Sequence, residues 1–358
     1  MRHDRIVLAT ALALGAAAVS GCFTYTRCTP SPRVATPSEQ RLAASMEQRV
    51  QRLVQFEQRN FLQPKNLVAA AEYIEGLFRD IAVGHPFVRT QSFSITPTGN
   101  TYRNIELVVV GTDPDADEVV VGAHYDSDGL ESGGMNPGAD DNATGVAALI
   151  EVATVLAQRQ HPRTIRFVAF TNEEEPFFKT HEMGSRVYAR ELRHSQEPGN
   201  IKIHAMISLE MLGYFSDATG SQWGWPLLPS QGNFIAVVGN WQSRALAFRT
   251  ADMFCESETI PASVMVSFGW LYGIGWSDHW SFWHEDYPAV MLTDTATLRN
   301  VCYHRGCDVP ERLDFDRMAQ VVGVVTEMVG SLADEYPKAL PRRSSRRSVF
   351  PCVTPIRD

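Results

Sequence analysis

The sequence predicts an α/β fold of three layers, a mainly parallel mixed sheet with helices on both faces. Three observations carry that expectation. Glu118 to Ala123 and Thr164 to Phe170 are short apolar runs rich in β-branched and aromatic residues, as strands covered on both faces require. Between them, Ala143 to Gln160 sets Val146, Leu149, Ile150, Ala153, Leu156 and Ala157 at helical spacing, with Asp141 or Asn142 suited to cap the start. Ile201 to Leu209 and Ala289 to Thr293 repeat the strand pattern further along.

In chain order, Arg2 and Arg5 precede an apolar stretch from Ile6 to Val19, which reads as a signal peptide over 1–21 with a core too short to span a bilayer. Val19, Ser20, Gly21 and Cys22 resemble the processing site of bacterial lipoproteins, so Cys22 is expected to carry the lipid and 22–37 to be a tether. Simple secretion is the alternative. The compartment is then the cell envelope, on the extracytoplasmic side of a membrane. One large domain spans 38–338, since 358 residues with 44% hydrophobic content bury a sizeable core. It opens with helices at Ser38 to Phe56 and Asn66 to Ala82 and closes with one at Asp314 to Tyr336. Gly213 to Asn233, rich in Gly, Ser, Pro and Trp, is a long surface loop. The segment 339–358 is a basic tail with five arginines against one aspartate.

A strand, helix, strand unit with a right-handed crossover brings both strand ends to one edge, where open α/β sheets bind ligands. His124 ends the first strand, Glu173 and Glu174 follow the second, Glu210 ends the third, and His304 lies in the loop after the fourth. Asp126 and Asp140 sit in adjoining loops. Singly, each is an ordinary cap, turn or packing residue. Together they supply the imidazole and carboxylate set that suits zinc, and about five such groups hold a pair of metals bridged by one carboxylate.

The histidine, any residue, aspartate pattern at His124 to Asp126, the segment Gly138 to Asn142 and the strand running into paired glutamates resemble the zinc aminopeptidases. That family includes bacterial leucyl aminopeptidase and, more distantly, the glutaminyl cyclases, and the likeness spans Val119 to Asp314. It implies a zinc peptidase domain with two zinc ions, Asp140 bridging them, His124 and Glu210 completing one ion, and Glu174 and His304 the other. Glu173 is implied as general base, with Asp278 and His279 supporting the site from behind. Glu210 stands where most relatives carry aspartate, and His304 to Asp308 also departs from the family's small polar residues.

Amide hydrolysis needs an activated water, a polarised carbonyl and a proton carrier, roles that suit two zinc ions and Glu173. Asp126, two residues beyond a histidine ligand, is placed to orient that imidazole. The aromatic run Phe268, Trp270, Tyr272, Trp276, Trp280, Phe282 and Trp283 suits the wall of an apolar side-chain pocket, although each ring taken singly reads as core or loop packing. A net charge of −9 argues against nucleic-acid binding. Of the six cysteines, Cys302 and Cys307 bracket His304 and are spaced for a small disulfide. Cys28 and Cys352 are candidates for a second one, which leaves Cys255 free, although the sequence does not fix the pairing. The expected substrates are peptides with a free amino terminus. The alternatives are a glutaminyl-cyclase-like acyltransferase and a metal-binding lipoprotein without turnover.

Overall fold

The computed structural model describes residues 22–25, 35–95, 99–130, 135–195, 201–224, 228–271 and 273–335. The leader, Cys28, Tyr272, Cys352, the basic tail and most of the expected tether lie outside the described residues. In chain order the elements are β1 (Cys22–Tyr25), α1 (Pro37–Val54), α2 (Pro64–Ile81), β2 (Phe87–Ser94), β3 (Thr101–Val109), β4 (Glu118–His124), α3 (Gly145–Leu156) and β5 (Ile165–Phe170). Then come α4 (Gly184–Arg193), β6 (Ile203–Glu210), β7 (Ile235–Asn240), α5 (Arg244–Glu256), β8 (Ala262–Ser267), α6 (His279–Trp283), β9 (Ala289–Thr293) and α7 (Phe315–Asp334).

The strands form one sheet in the order β1-β8-β7-β9-β6-β4-β5-β3-β2. Its centre, β9-β6-β4-β5, is parallel throughout. The flanks are mixed: β7 runs antiparallel to β9, β3 runs antiparallel to both β5 and β2, and only β7 with β8 restores a parallel pair. The parallel character is thus concentrated where the expected ligands lie. β1 is a finding against expectation. Cys22–Tyr25 pairs antiparallel with β8, Cys22 opposite Val266, so the first residues of the expected tether belong to the sheet.

Alternation along β4 explains the layers, because successive side chains of a strand point to opposite faces. Val119, Val121 and Ala123 join the core cluster that contains buried residues of α1, α2, α3, α5 and α7. Val120 faces the other cluster, with Tyr188 and Leu192 of α4 and Phe282 of α6. The first helix starts where the sequence dictates. Thr36 and Glu39 form a reciprocal capping box, Pro37 fills the first turn, and Ala43, Met46, Val50 and Leu53 form the buried stripe. Asp314 caps α7 through the Arg317 amide at 2.9 Å.

The order around β4 places the site. The crossover through α3 sets β5 on one side of β4, whereas β6 lies on the other. That reversal opens a crevice at the carboxyl ends of β4, β5 and β6, the switch point at which open α/β sheets bind ligands.

Candidate metal centre

His124, the last residue of β4, projects into this crevice with its ring buried. Its Nε2 lies 3.2 Å from Glu210 Oε2 at the end of β6 and 3.4 Å from Asp141 Oδ1. The other oxygen of Asp141, Oδ2, lies 3.2 Å from His304 Nε2, which in turn lies 3.2 Å from Glu174 Oε2. One carboxylate therefore stands between two histidines, an oxygen toward each, and each histidine has a glutamate of its own. Two metal pockets sharing a bridging aspartate need that arrangement, and the all nitrogen and oxygen donor set suits zinc.

The central residue is Asp141 and not Asp140, which corrects the expectation from sequence. The two are adjacent, but the turn from Ala139 to Thr144 leaves helical geometry at Asp141 and Asn142, and the side chains diverge. Asp140 is directed away: its Oδ1 accepts from the Gly213 amide at 3.0 Å and its Oδ2 from Asn300 Nδ2 at 2.9 Å. Asn142, rather than Asp141, caps the helix side of the turn. Its Oδ1 accepts from the amides of Gly145 and Met211, while its Nδ2 donates to Leu209 O. The turn also needs glycine at 138, where φ is +58° and a Cβ would meet Asp141 O at 2.3 Å.

Two buried groups that sequence reading missed hold this turn, Asp308 and Arg59, and a third, Asp128, lies beside the cluster. Asp308 accepts from the Asp140 amide at 3.0 Å and the Asp141 amide at 3.1 Å. Burial pushes its own carboxyl up to about 8. Arg59, in the loop between α1 and α2, is fully buried and donates to the carbonyls of Tyr125 and Gly138, each at 2.9 Å, and of Pro137. It thereby ties the loop after β4 to the loop of Asp141. Asp128 is fully buried, lies near Glu174 and His304, and holds the Leu130 amide at 3.1 Å. An arginine in a polar loop and an aspartate behind a cysteine carry no periodic signal, so only folding reveals them.

Asp126 does more than orient an imidazole. Its main-chain oxygen lies 3.2 Å from His124 Nδ1, and its carboxylate is 3.6 Å from the same nitrogen. The carboxylate oxygens accept from the amides of Glu173 and Glu174, both at 3.1 Å, which fixes the turn that aims the two glutamates. Glu173 Oε2 stands 4.0 Å from His124 Nε2, farther back than Glu210 or Asp141. Burial pushes the Glu173 carboxyl well above the carboxylate range, and it pushes Glu174 up to about 7. Burial acts the same way on Asp141, but hydrogen bonds from His124 and His304 outweigh it and hold that group low. So many buried acidic oxygens, with Glu174 Oε1 lacking any partner among the described residues, fit a site built for cations.

Ser277 donates to Glu210 Oε2 at 2.7 Å, which gives the longer glutamate a fixed reach. Asp278 is fully buried behind the cluster, neither oxygen hydrogen-bonded among the described residues, and burial pushes it up to about 7. His279 does not share that orientation. Its Nε2 donates to Ile274 O at 2.7 Å and its ring packs edge-on against Trp283, so its expected supporting role finds no contact with the cluster. His304 lies in a loop closed by the Cys302–Cys307 disulfide, its ring stacked 3.8 Å from that of Tyr303. Cys255 is disulfide-bonded too, so it is not the free thiol expected. The aromatic wall also divides: Phe282 is core, while Phe268 and Trp270 are exposed.

The profile of peptidase family M28 matches residues 104–329, from β3 through most of α7. The chain belongs to that family. It is accordingly a zinc metallopeptidase of the aminopeptidase-like kind. The uncharacterized Escherichia coli K12 protein YfbL is 40% identical over 276 residues, which cover 74% of this chain and 81% of that one. A probable leucine aminopeptidase of Arthroderma benhamiae is 22% identical over 78% of this chain and 69% of its own length. Among solved structures, the Legionella pneumophila LapA aminopeptidase superposes with a TM-score of 0.66 at 21% identity, covering 85% of this chain and 78% of that one. The Bacteroides thetaiotaomicron glutaminyl cyclase gives 0.59 at 18% identity, over 80% of this chain and 97% of its own. These likenesses bear on the fold, and the M28 zinc exopeptidase architecture is the one the sequence predicted.

Proposed function

We propose that this M28 member is a dinuclear zinc aminopeptidase, and the placement of Asp141 between His124 and His304 is the observation that carries the reading. His124, Glu210 and one oxygen of Asp141 would hold one ion, and His304, Glu174 and the other oxygen would hold the second. When bound, the two ions supply Lewis acidity, polarising the scissile carbonyl and lowering the pKa of a water. Glu173, which belongs to neither triad, would accept the proton of the attacking water and pass it to the departing nitrogen. Burial raises the proton affinity of its carboxylate, which suits it to accept that proton. Asp126 keeps Glu173 and Glu174 in register by clamping both amides. The concentration of carboxylates favours a substrate that brings a free ammonium, which would hold the first peptide carbonyl within reach of Glu173.

The test compares an unblocked peptide with its N-acetylated twin, using carboxyl-terminal amidation as control and an amino-terminal glutaminyl peptide to detect cyclisation. The expected result is loss of turnover on acetylation alone. Equal cleavage of the blocked and free forms, or release of a cyclised product in place of an amino acid, would replace the aminopeptidase assignment. The proposal extends to location: Cys22 is acylated after cleavage at Gly21, which anchors the enzyme to the extracytoplasmic side of a bacterial membrane. Mass spectrometry of the mature amino terminus tests this, and an unmodified terminus contradicts it.

A further inference from the structure

The edge of the sheet opposite the metal centre carries a compact set of exposed aromatic side chains. β7 runs antiparallel to β9, so the carboxyl ends of β7 and β8 lie at the edge away from the ends of β4, β5, β6 and β9. Asn240 and Ser267 are register partners at those ends, and the chain continues from them into Trp241 and Phe268. Trp241 is 48% exposed, Phe268 45% and Trp270 77%. Phe268 and Trp270 stack on one another with centroids 5.9 Å apart and planes 14° apart. Arg244, also exposed, holds its guanidinium 5.7 Å from the Trp241 ring and donates to Trp241 O at 2.8 Å. Large exposed aromatics grouped in this way mark a contact surface.

The register of β1 indicates what covers this surface. Cys22 is paired with Val266, two residues before Phe268, so the strand begins at the same edge. The geometry points to a bilayer-contact face made by Trp241, Phe268, Trp270 and Arg244 around the anchor point of the chain; this rests on the acylation of Cys22. Tryptophan favours the headgroup boundary, where its ring is half apolar and half polar, and an arginine can extend beside it to a phosphate. The net charge of −9 does not by itself draw the chain to an anionic leaflet, so contact has to come from the acyl chains and the rings. Strands of five to eight residues separate the carboxyl ends of β7 and β8 from the metal centre by roughly 20 Å. The site therefore opens away from the lipid, toward peptides arriving from the aqueous side.

The experiment uses the full chain processed in a bacterial host, purified in detergent and reconstituted into phosphatidylcholine and phosphatidylglycerol vesicles with or without brominated acyl chains. Bromine quenches only tryptophans at the lipid. Two of the seven tryptophans lie in the face, so loss of roughly a quarter of the emission is expected. Trp241→Ser should remove part of that quenching and leave peptide hydrolysis unchanged, and adding Trp270→Ser should abolish the quenching. Trp223→Ser should preserve it, because Trp223 is equally exposed but bonds to Leu298 O beyond the carboxyl end of β9, at the metal edge. An acylated protein with unquenched emission, or with quenching that depends on Trp223, overturns the contact face while the anchor stands. An unacylated terminus with no vesicle binding overturns both. Quenching through Trp241 and Trp270 in an unacylated protein supports the face and removes the anchor.

Discussion

Substituting each of the two adjacent aspartates in turn separates the bridging position from its neighbour. Asp141 offers one oxygen toward His124 Nε2 at 3.4 Å and the other toward His304 Nε2 at 3.2 Å, so Asp141→Asn removes an anionic donor from both triads at once. Loss of a residue that merely orients a ligand costs about 10- to 100-fold in metal affinity, so loss of a shared ligand should exceed 100-fold, or about 2.8 kcal/mol, for at least one ion. Asp140→Asn keeps an oxygen for the Gly213 amide and disturbs the contacts with Asn300, whose own oxygen holds the Cys302 amide, and with the buried Asp294, none of which belongs to either triad. It should keep zinc affinity within about tenfold and lower stability by at most about 1 to 3 kcal/mol, the cost of one mismatched buried polar contact. Both variants and the parent are equilibrated in zinc buffers, and bound metal is read by atomic emission alongside thermal unfolding. Zinc loss in Asp140→Asn matching that in Asp141→Asn would refute the geometric assignment.

Glu173→Gln should retain zinc and lose about 10²- to 10⁴-fold in kcat, read by metal content and steady-state rates on one preparation; metal loss equal to that of Glu174→Gln would reverse their roles. Glu210→Ala should take zinc from about two ions toward one at limiting metal, since it removes one donor of the group of three that includes His124 and Asp141; unchanged stoichiometry removes Glu210 from the ligand set. Glu106 is buried, and although burial raises its pKa, Arg166 and Arg89 outweigh this and hold it below its ordinary value. Its contribution is therefore present above the unfolded carboxylate pKa and is lost as pH falls through the lower folded one. Glu106→Gln should destabilise by about 3 to 5 kcal/mol near neutral pH and narrow that gap in acid, measured by urea unfolding.

The sequence by itself determined the central layer and most of the site. The runs ending at His124, Phe170 and Glu210 are apolar because both faces of those strands are covered, and the functional residues follow them because strand ends are where the chain first reaches solvent. His124, Glu174, Glu210 and His304 could therefore be read by position, and Glu173 beside them. Choosing between Asp140 and Asp141 could not, since adjacent residues leave a turn in directions set by backbone dihedrals that depend on Gly138, Asp308 and Arg59, distant in sequence from one another. The surroundings of His279 and of the aromatic run could not be read for the same reason: composition says that a ring seeks burial or an interface, but only packing decides which. The strand at Cys22–Tyr25 was hidden as well, because an edge strand of four residues has no period long enough to read, and its pairing with β8 is a contact between residues more than two hundred positions apart.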